Sequence, residues 1–418
     1  MSNQAKYNEK ISRLYDAIAL KEPDRVPINP ILQCFPFYDA GHTMAEILYD
    51  EKAELATADM LRFAELFDPD MVMGQDYVNV GMGPVYELAD PKTIMWAGMP
   101  NARIDKNSIH QFLEFPVVED DEVEDFAYNR AEWALAKGAP RSSGLLAPLA
   151  MIPARGLNPF VSFLQMAGTF SHPDFRNMVE KLWAIGDKLM VNGPAMAGLN
   201  AAIEEAGYPV MTRAMASVPF DTYSDFYRGT VDGLIDMGEY PNEVMAFCEE
   251  ELQNQLMMID MAAQTWPGKY VFMPLHKGMD GFMSDEDYVK FYWNHLQIII
   301  NHIIDVGMIP YIYTEGPYTT RLEHLAEVPT GKVVYHFENV DWVKAKKVLG
   351  GVACLAGGFH TPYLDRRTPE QIKDETKRIL DLLAPGGGFI FETSHGIDYS
   401  PHENVLAMIE TVKEYGKY

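Results

Sequence analysis

KVVYHFEN (332–339), VACLAGGFH (352–360) and GFIFETSH (388–395) are short apolar runs, each ending on a polar tip. Between them lie DWVKAKKVLG and TPEQIKDETKRILDLLA, both spaced as helices, the second with Thr368 at its cap and Pro369 at its first position. Upstream, VFMPLH (271–276) and IPYIYTEG (309–316) repeat the strand pattern, separated by a helix over 284–307 that Ser284 and Asp287 open. Strands and helices alternating at this interval build a parallel sheet. The strands are continuously apolar, as expected where helices cover both faces. No Gly-rich phosphate-binding turn follows the first strand, which disfavours a dinucleotide fold. No linker or low-complexity segment divides residues 1–418. The pattern predicts a single α/β domain, a (β/α)8 barrel of the TIM type. An insertion or cap is expected over 140–215, where a loop-like stretch leads into a helix rich in Met and aromatic residues.

The chain of 418 residues has a net charge of −26 and is 48% hydrophobic, ample for a large core. Such an acidic surface repels phosphate backbones and anionic lipid, so neither nucleic acid nor membrane is expected as a partner. Three cysteines, Cys34, Cys248 and Cys354, form no C-x-x-C pair, and the opening residues MSNQAKYNEK lack the apolar run of a signal peptide. A cytoplasmic enzyme is the expectation.

In a barrel of this kind the reactive groups sit where strands end. Those tips carry Asp76, His276, Glu315, His336 with Glu338, His360, and Glu392 with His395. His276, Glu315 and His395 come from three different strand ends. Two imidazoles and a carboxylate form an acceptable set for zinc or another divalent metal. The other reading is a metal-free pocket in which the same groups move protons. Arg228 and Asp225 in PFDTYSDFYRGT read either as an internal ion pair or as contacts for a substrate carboxylate or phenolate.

DRVPI (24–28), FDPDMVMGQD (67–76), the strand–loop–helix over 349–380 and the ending GGGFIFETSHGIDYSPHENVLAMIETVKEYG together resemble the uroporphyrinogen decarboxylase-like superfamily. PFDTYSDFYRGT, LHKGMDGFMSDEDYVKFYW and YIYTEGPYTTRLE resemble a branch similar to corrinoid-dependent demethylating methyltransferases. The resemblance implies a catalytic role for Asp76 and His395 and places Tyr313, Glu315 and His395 where related methyltransferases hold zinc. Two thiolates of that zinc set are absent here. The arginine-rich segment that clamps substrate carboxylates in the decarboxylase is replaced by INPILQCFPFYDAG (28–41), which contains no arginine.

The expected function is demethylation of a small methylated substrate, an O-methyl aromatic compound first. The methyl group would pass to a corrinoid on a separate protein, since no D-x-H-x-x-G cobalamin motif is present. Glu315, His395 and Asp76 are the candidate catalytic residues. His276, Tyr313, Arg228 and His336 are the candidate substrate contacts, and a homodimer is allowed. The rival expectation is a cofactor-independent decarboxylase or lyase of a carboxylic acid. A third is a barrel that only binds a ligand or a corrinoid carrier.

Overall fold

The computed structural model describes residues 2–418 except 75–77, 102, 154–155 and 267. A two-residue antiparallel ladder joins β1 (Ile94–Met95) to β2 (Gln111–Phe112), apart from the main sheet. That sheet holds six parallel strands in chain order: β3 (Thr212–Met215), β4 (Tyr270–Leu275), β5 (Ile309–Pro317), β6 (Val334–Asn339), β7 (Cys354–Phe359) and β8 (Phe389–Thr393). Two irregular segments, 26–32 and 70–73, complete the ring. Phe391 N–H donates to Pro27 O at 2.9 Å and Asn29 N–H to Phe391 O at 3.1 Å. Asp70 N–H donates to Ile28 O, Val72 N–H to Pro209 O and Met211 N–H to Val72 O, each at 2.9 Å. The sheet therefore closes on itself as a parallel barrel with eight members. The first two are bridged rather than laddered because Pro27, Pro30 and Pro69 supply no N–H.

The lumen and the outer layer are separate cores. Inward positions of the strands, among them Tyr270, Tyr311, Tyr313, Val334 and Ile390, pack together inside the ring. Leu14, Ala17 and Ile18 of the helix α1 (Asn3–Ile18) join that cluster and close the end of the barrel where strands begin. Asp70, fully buried, holds the plug. It receives Arg13 at 2.5 Å, Arg25 at 2.6 Å and the Ile28 N–H at 2.9 Å. Burial pushes its carboxyl up, but the charges of Arg25, Lys10 and Arg13 outweigh this and hold it below the usual range. A carboxyl depressed in the fold contributes stability above its unfolded value near ~3.9 and loses it as the pH falls below that. Acid unfolding followed by circular dichroism should therefore begin below about pH 4, and Asp70→Asn should flatten that acid limb.

The stretch set apart at 140–215 contains short helical turns, the helix Ser162–Phe170 and the 33-residue helix Pro173–Glu205, and it runs into β3. The long helix reaches the plugged end of the barrel, where Asn3 Nδ2 donates to Glu205 O and Lys269 Nζ approaches Glu204. Asn192 lies at the opposite end, donating to Val80 O. The part before Asn192 runs on for about 28 Å at 1.5 Å per residue and pairs Lys188 with Glu51 at 2.9 Å. Among the described residues no helix is long and apolar enough to cross a membrane.

Candidate active site

His276, Glu315, Glu338, His360 and His395 all stand at C-terminal strand ends, so they share one mouth. They do not share one hollow. A cavity of about 610 Å3 lies over the barrel axis, walled by Ile31, Met73, Met215, Phe272 and Tyr313, with His276 and Glu315 on its rim. A second hollow of about 490 Å3 lies beside it over β6–β8 and takes Glu338, His360 and His395. Asn79 and His110 contribute to the first cavity from outside the sheet, 3.0 Å apart, and burial lowers the His110 pKa.

His276 is the best-supported side chain at the rim. Asp221 accepts the backbone N–H of His276 at 3.1 Å and of Lys277 at 2.8 Å, and the Tyr292 hydroxyl at 2.6 Å. This fixes the chain as it leaves β4. Asp225 then hydrogen-bonds His276 Nδ1 and pairs with Lys277 Nζ at 2.7 Å. Both holding elements contain a wide helical turn: Ser224–Arg228 presents Asp225, and Tyr288–Trp293 presents Tyr292. Such turns recur where a helix must aim a side chain off its regular track. His276 Nε2 faces Glu315 at 3.6 Å. Burial opposes a charge on the ring. The hydrogen bonds to Asp225 and Glu315 and the negative charge of Asp221 outweigh it, pushing His276 up to about 11. Burial raises Asp221, whereas its contacts with His276 and Lys277 hold Asp225 low against the same penalty. At neutral pH His276 is thus an imidazolium with one N–H committed to Asp225 and the other at the cavity edge.

Two candidate contacts have other roles. His336 lies in the lumen, closed from solvent, with Nδ1 2.6 Å from Glu392 Oε2 and Nε2 donating to Ser394 O at 3.1 Å. Its ring stacks on Tyr313 at 4.2 Å, so it supports the cavity floor and does not line it. Arg228 is buried among the helices. Its donors go to Asp236 at 2.6 Å, Val118 O at 2.7 Å and Asp120 at 2.9 Å, and Asp225 is not its partner. Asp76 lies outside the described residues.

The proposed metal set is not gathered in one hollow. His395 turns toward Glu338, 4.0 Å away, and hydrogen-bonds Ser394 Oγ at 3.1 Å, while His276 faces Glu315 from the other hollow. Among the described residues no group of three or more His, Cys, Asp or Glu side chains is gathered to hold a metal ion. Tyr313 lines the cavity. Asp221 and Asp225 went unrecognised as supports of His276, although their four-residue spacing already puts both carboxylates on one helical face.

The family model for uroporphyrinogen decarboxylase (URO-D) matches residues 170–415, more than half of the chain. The chain belongs to the uroporphyrinogen decarboxylase family. Relatives include the uroporphyrinogen decarboxylase of Aromatoleum aromaticum, 29% identical over 146 residues, covering 33% of this chain and 39% of that protein. The enzyme of the same name from Psychromonas ingrahamii is 27% identical over 181 residues, 41% of this chain and 50% of that one. The matched stretches thus span half or less of these relatives' length. Among solved structures, a methyltransferase from Methanosarcina mazei superposes over 97% of this chain and 98% of its own, at a TM-score of 0.58 and 15% identity. That likeness supports the fold of this URO-D family member over its full length.

Proposed function

We propose that this URO-D family protein demethylates a small methylated substrate, an O-methyl aromatic compound first, and passes the methyl group to a corrinoid carried by a separate protein. The observation that carries this reading is the His276 side chain, held by Asp225, at the edge of a cavity walled by rings and thioethers. The aryl group fits against Phe272 and Tyr313, and its ether oxygen faces His276. As the methyl carbon leaves to the acceptor, the C–O bonding pair stays on oxygen. His276 Nε2 supplies the proton that this oxygen needs, which is worth roughly 10²–10⁴-fold in rate for a positioned acid. Glu315, half-exposed and 3.6 Å away, returns a proton from solvent to His276. The fold shared with a protein named as a methyltransferase agrees with this reading.

The test mixes the protein, a corrinoid protein with its cobalt reduced, and a panel of methoxylated aromatics, and follows the absorbance change as the cobalt is methylated. Methylation by at least one ether is expected. No methylation across ethers, amines and thiols would overturn the proposal. The relatives' shared name favours a second reading, decarboxylation, in which His276 protonates the carbanion left by carbon dioxide. Against it, Ile31 and Gln33 line the cavity in the stretch where the decarboxylase carries its arginine-rich clamp. Carbon dioxide released from a carboxylic acid without any corrinoid protein would select that reading.

A further inference from the structure

One wall of the axial cavity is built from the turn at residues 79–82, which is anchored in the fold. Met82 N–H donates to Asn79 O at 3.1 Å, Gly81 N–H to Ile47 O at 3.0 Å, and Asn192 Nδ2 of the long helix to Val80 O at 2.9 Å. Asn79 sits at a φ of +59°, in the left-handed region that asparagine tolerates better than most side chains. Val78 and Val80 are buried on either side of it, so the fold sets where its amide stands. His110 reaches the same cavity from the segment that the β1–β2 ladder holds, one residue before β2.

Asn79 Nδ2 stands 3.0 Å from His110 Nδ1. An amide nitrogen only donates, so Nδ1 accepts and the single ring proton is on Nε2. A second proton, on Nδ1, would face the amide N–H. The contact therefore favours a neutral ring, in the same direction as burial, which lowers the His110 pKa. Among the described residues Nε2–H has no acceptor. The described residues that line this cavity include no Lys or Arg, and Glu315 stands at the rim. A ligand carboxylate held at His110 would meet a neutral donor and no counter-charge in an apolar enclosure, which disfavours it.

We propose, resting on the demethylation reading of this cavity, that His110 selects the substrate: its Nε2–H donates to a second, uncharged oxygen on the aromatic ring, and Asn79 holds the imidazole in the tautomer that does so. The preferred substrates are then methoxyphenols and dimethoxyarenes, ahead of methoxybenzene and of methoxybenzoates.

Equilibrium dialysis of the full chain, without any corrinoid protein, is the test. The probes are methoxybenzene, the methoxyphenols and the methoxybenzoates at neutral pH. At least one methoxyphenol should bind about tenfold more tightly than methoxybenzene, the worth of one hydrogen bond made away from water, and more tightly than every methoxybenzoate. His110→Phe keeps a ring but no donor, and should bring that methoxyphenol down to methoxybenzene, whose own affinity stays. Asn79→Asp sets an acceptor against Nδ1 and draws a second proton onto the ring. It should bind a methoxybenzoate at least about threefold more tightly than wild type does, an exchange of preference that loss of folding does not produce. Equal binding of methoxybenzene and every methoxyphenol overturns the proposal. So does a methoxybenzoate bound best by wild type, a preference that survives His110→Phe, or an Asn79→Asp chain that ranks the probes as wild type does. Cobalt methylation by ethers with no advantage for a second oxygen overturns this proposal and leaves demethylation standing. Selective binding with no cobalt methylation does the reverse.

Discussion

His276→Gln should slow turnover by ~10²–10⁴-fold while leaving substrate affinity and folding nearly unchanged. The amide keeps a donor at the cavity edge but has no proton to give. Asp225 keeps Lys277 as its partner, and Asp221 still holds the backbone, so the strand end stays in place. The pH profile adds a second readout. A histidine of ordinary pKa, near ~6.5, would lose its proton below pH 8. Held up to about 11, His276 remains an acid well beyond that, so wild-type turnover should persist through the mildly alkaline range. Asp225→Asn removes the neighbouring negative charge and should bring the alkaline limb down. The same raised pKa makes His276 stabilising below its unfolded value near ~6.5, a contribution lost as the pH rises toward the folded value. An alkaline limb at the ordinary histidine value in the wild type would contradict the assignment of His276 as a cation.

Glu392→Ala should cost about 3–5 kcal/mol of stability, read from the shift of the denaturant midpoint. Glu392 is sealed inside the barrel, where Asn29 Nδ2 and the Tyr311 hydroxyl donate to one oxygen and His336 Nδ1 meets the other at 2.6 Å. Alanine strands all three partners in a dry lumen and leaves a cavity among packed side chains. Glu392→Gln keeps an acceptor for Asn29 and Tyr311 and should cost less. His336 also carries the stacked ring of Tyr313, so Glu392→Ala should raise KM by loosening the cavity floor. A loss below about 1 kcal/mol would mean that the network is not the strut described here.

The five strands β4–β8 are legible in the sequence because each is an unbroken apolar run covered on both faces. The first two members of the ring are harder to read, since prolines leave them bridges in place of ladders. Period-two alternation puts the polar tips at one mouth. Depth is not written in that alternation: His336 lies two residues before Glu338 and points to the same side, yet it sits in the closed lumen. Pairing was the least legible part. Asp225 is three residues from Arg228, but its partner is His276, 51 residues on. Arg228 is drawn to Asp236 and to Val118 O, which the fold brings to it. The three candidate ligands are held apart for the same reason. Adjacent strand ends bring His276 to Glu315, while His395, on β8, finds Glu338 of β6 instead.

The central claim is that His276 protonates the departing oxygen. The most direct measurement compares wild type with His276→Gln across aryl methyl ethers whose phenols span a range of acidity. In each case the rate of corrinoid methylation is followed in single turnovers. The predicted result is a loss that grows as the leaving phenolate becomes more basic and shrinks toward none for the most acidic phenols. An equal loss for every ether would contradict it.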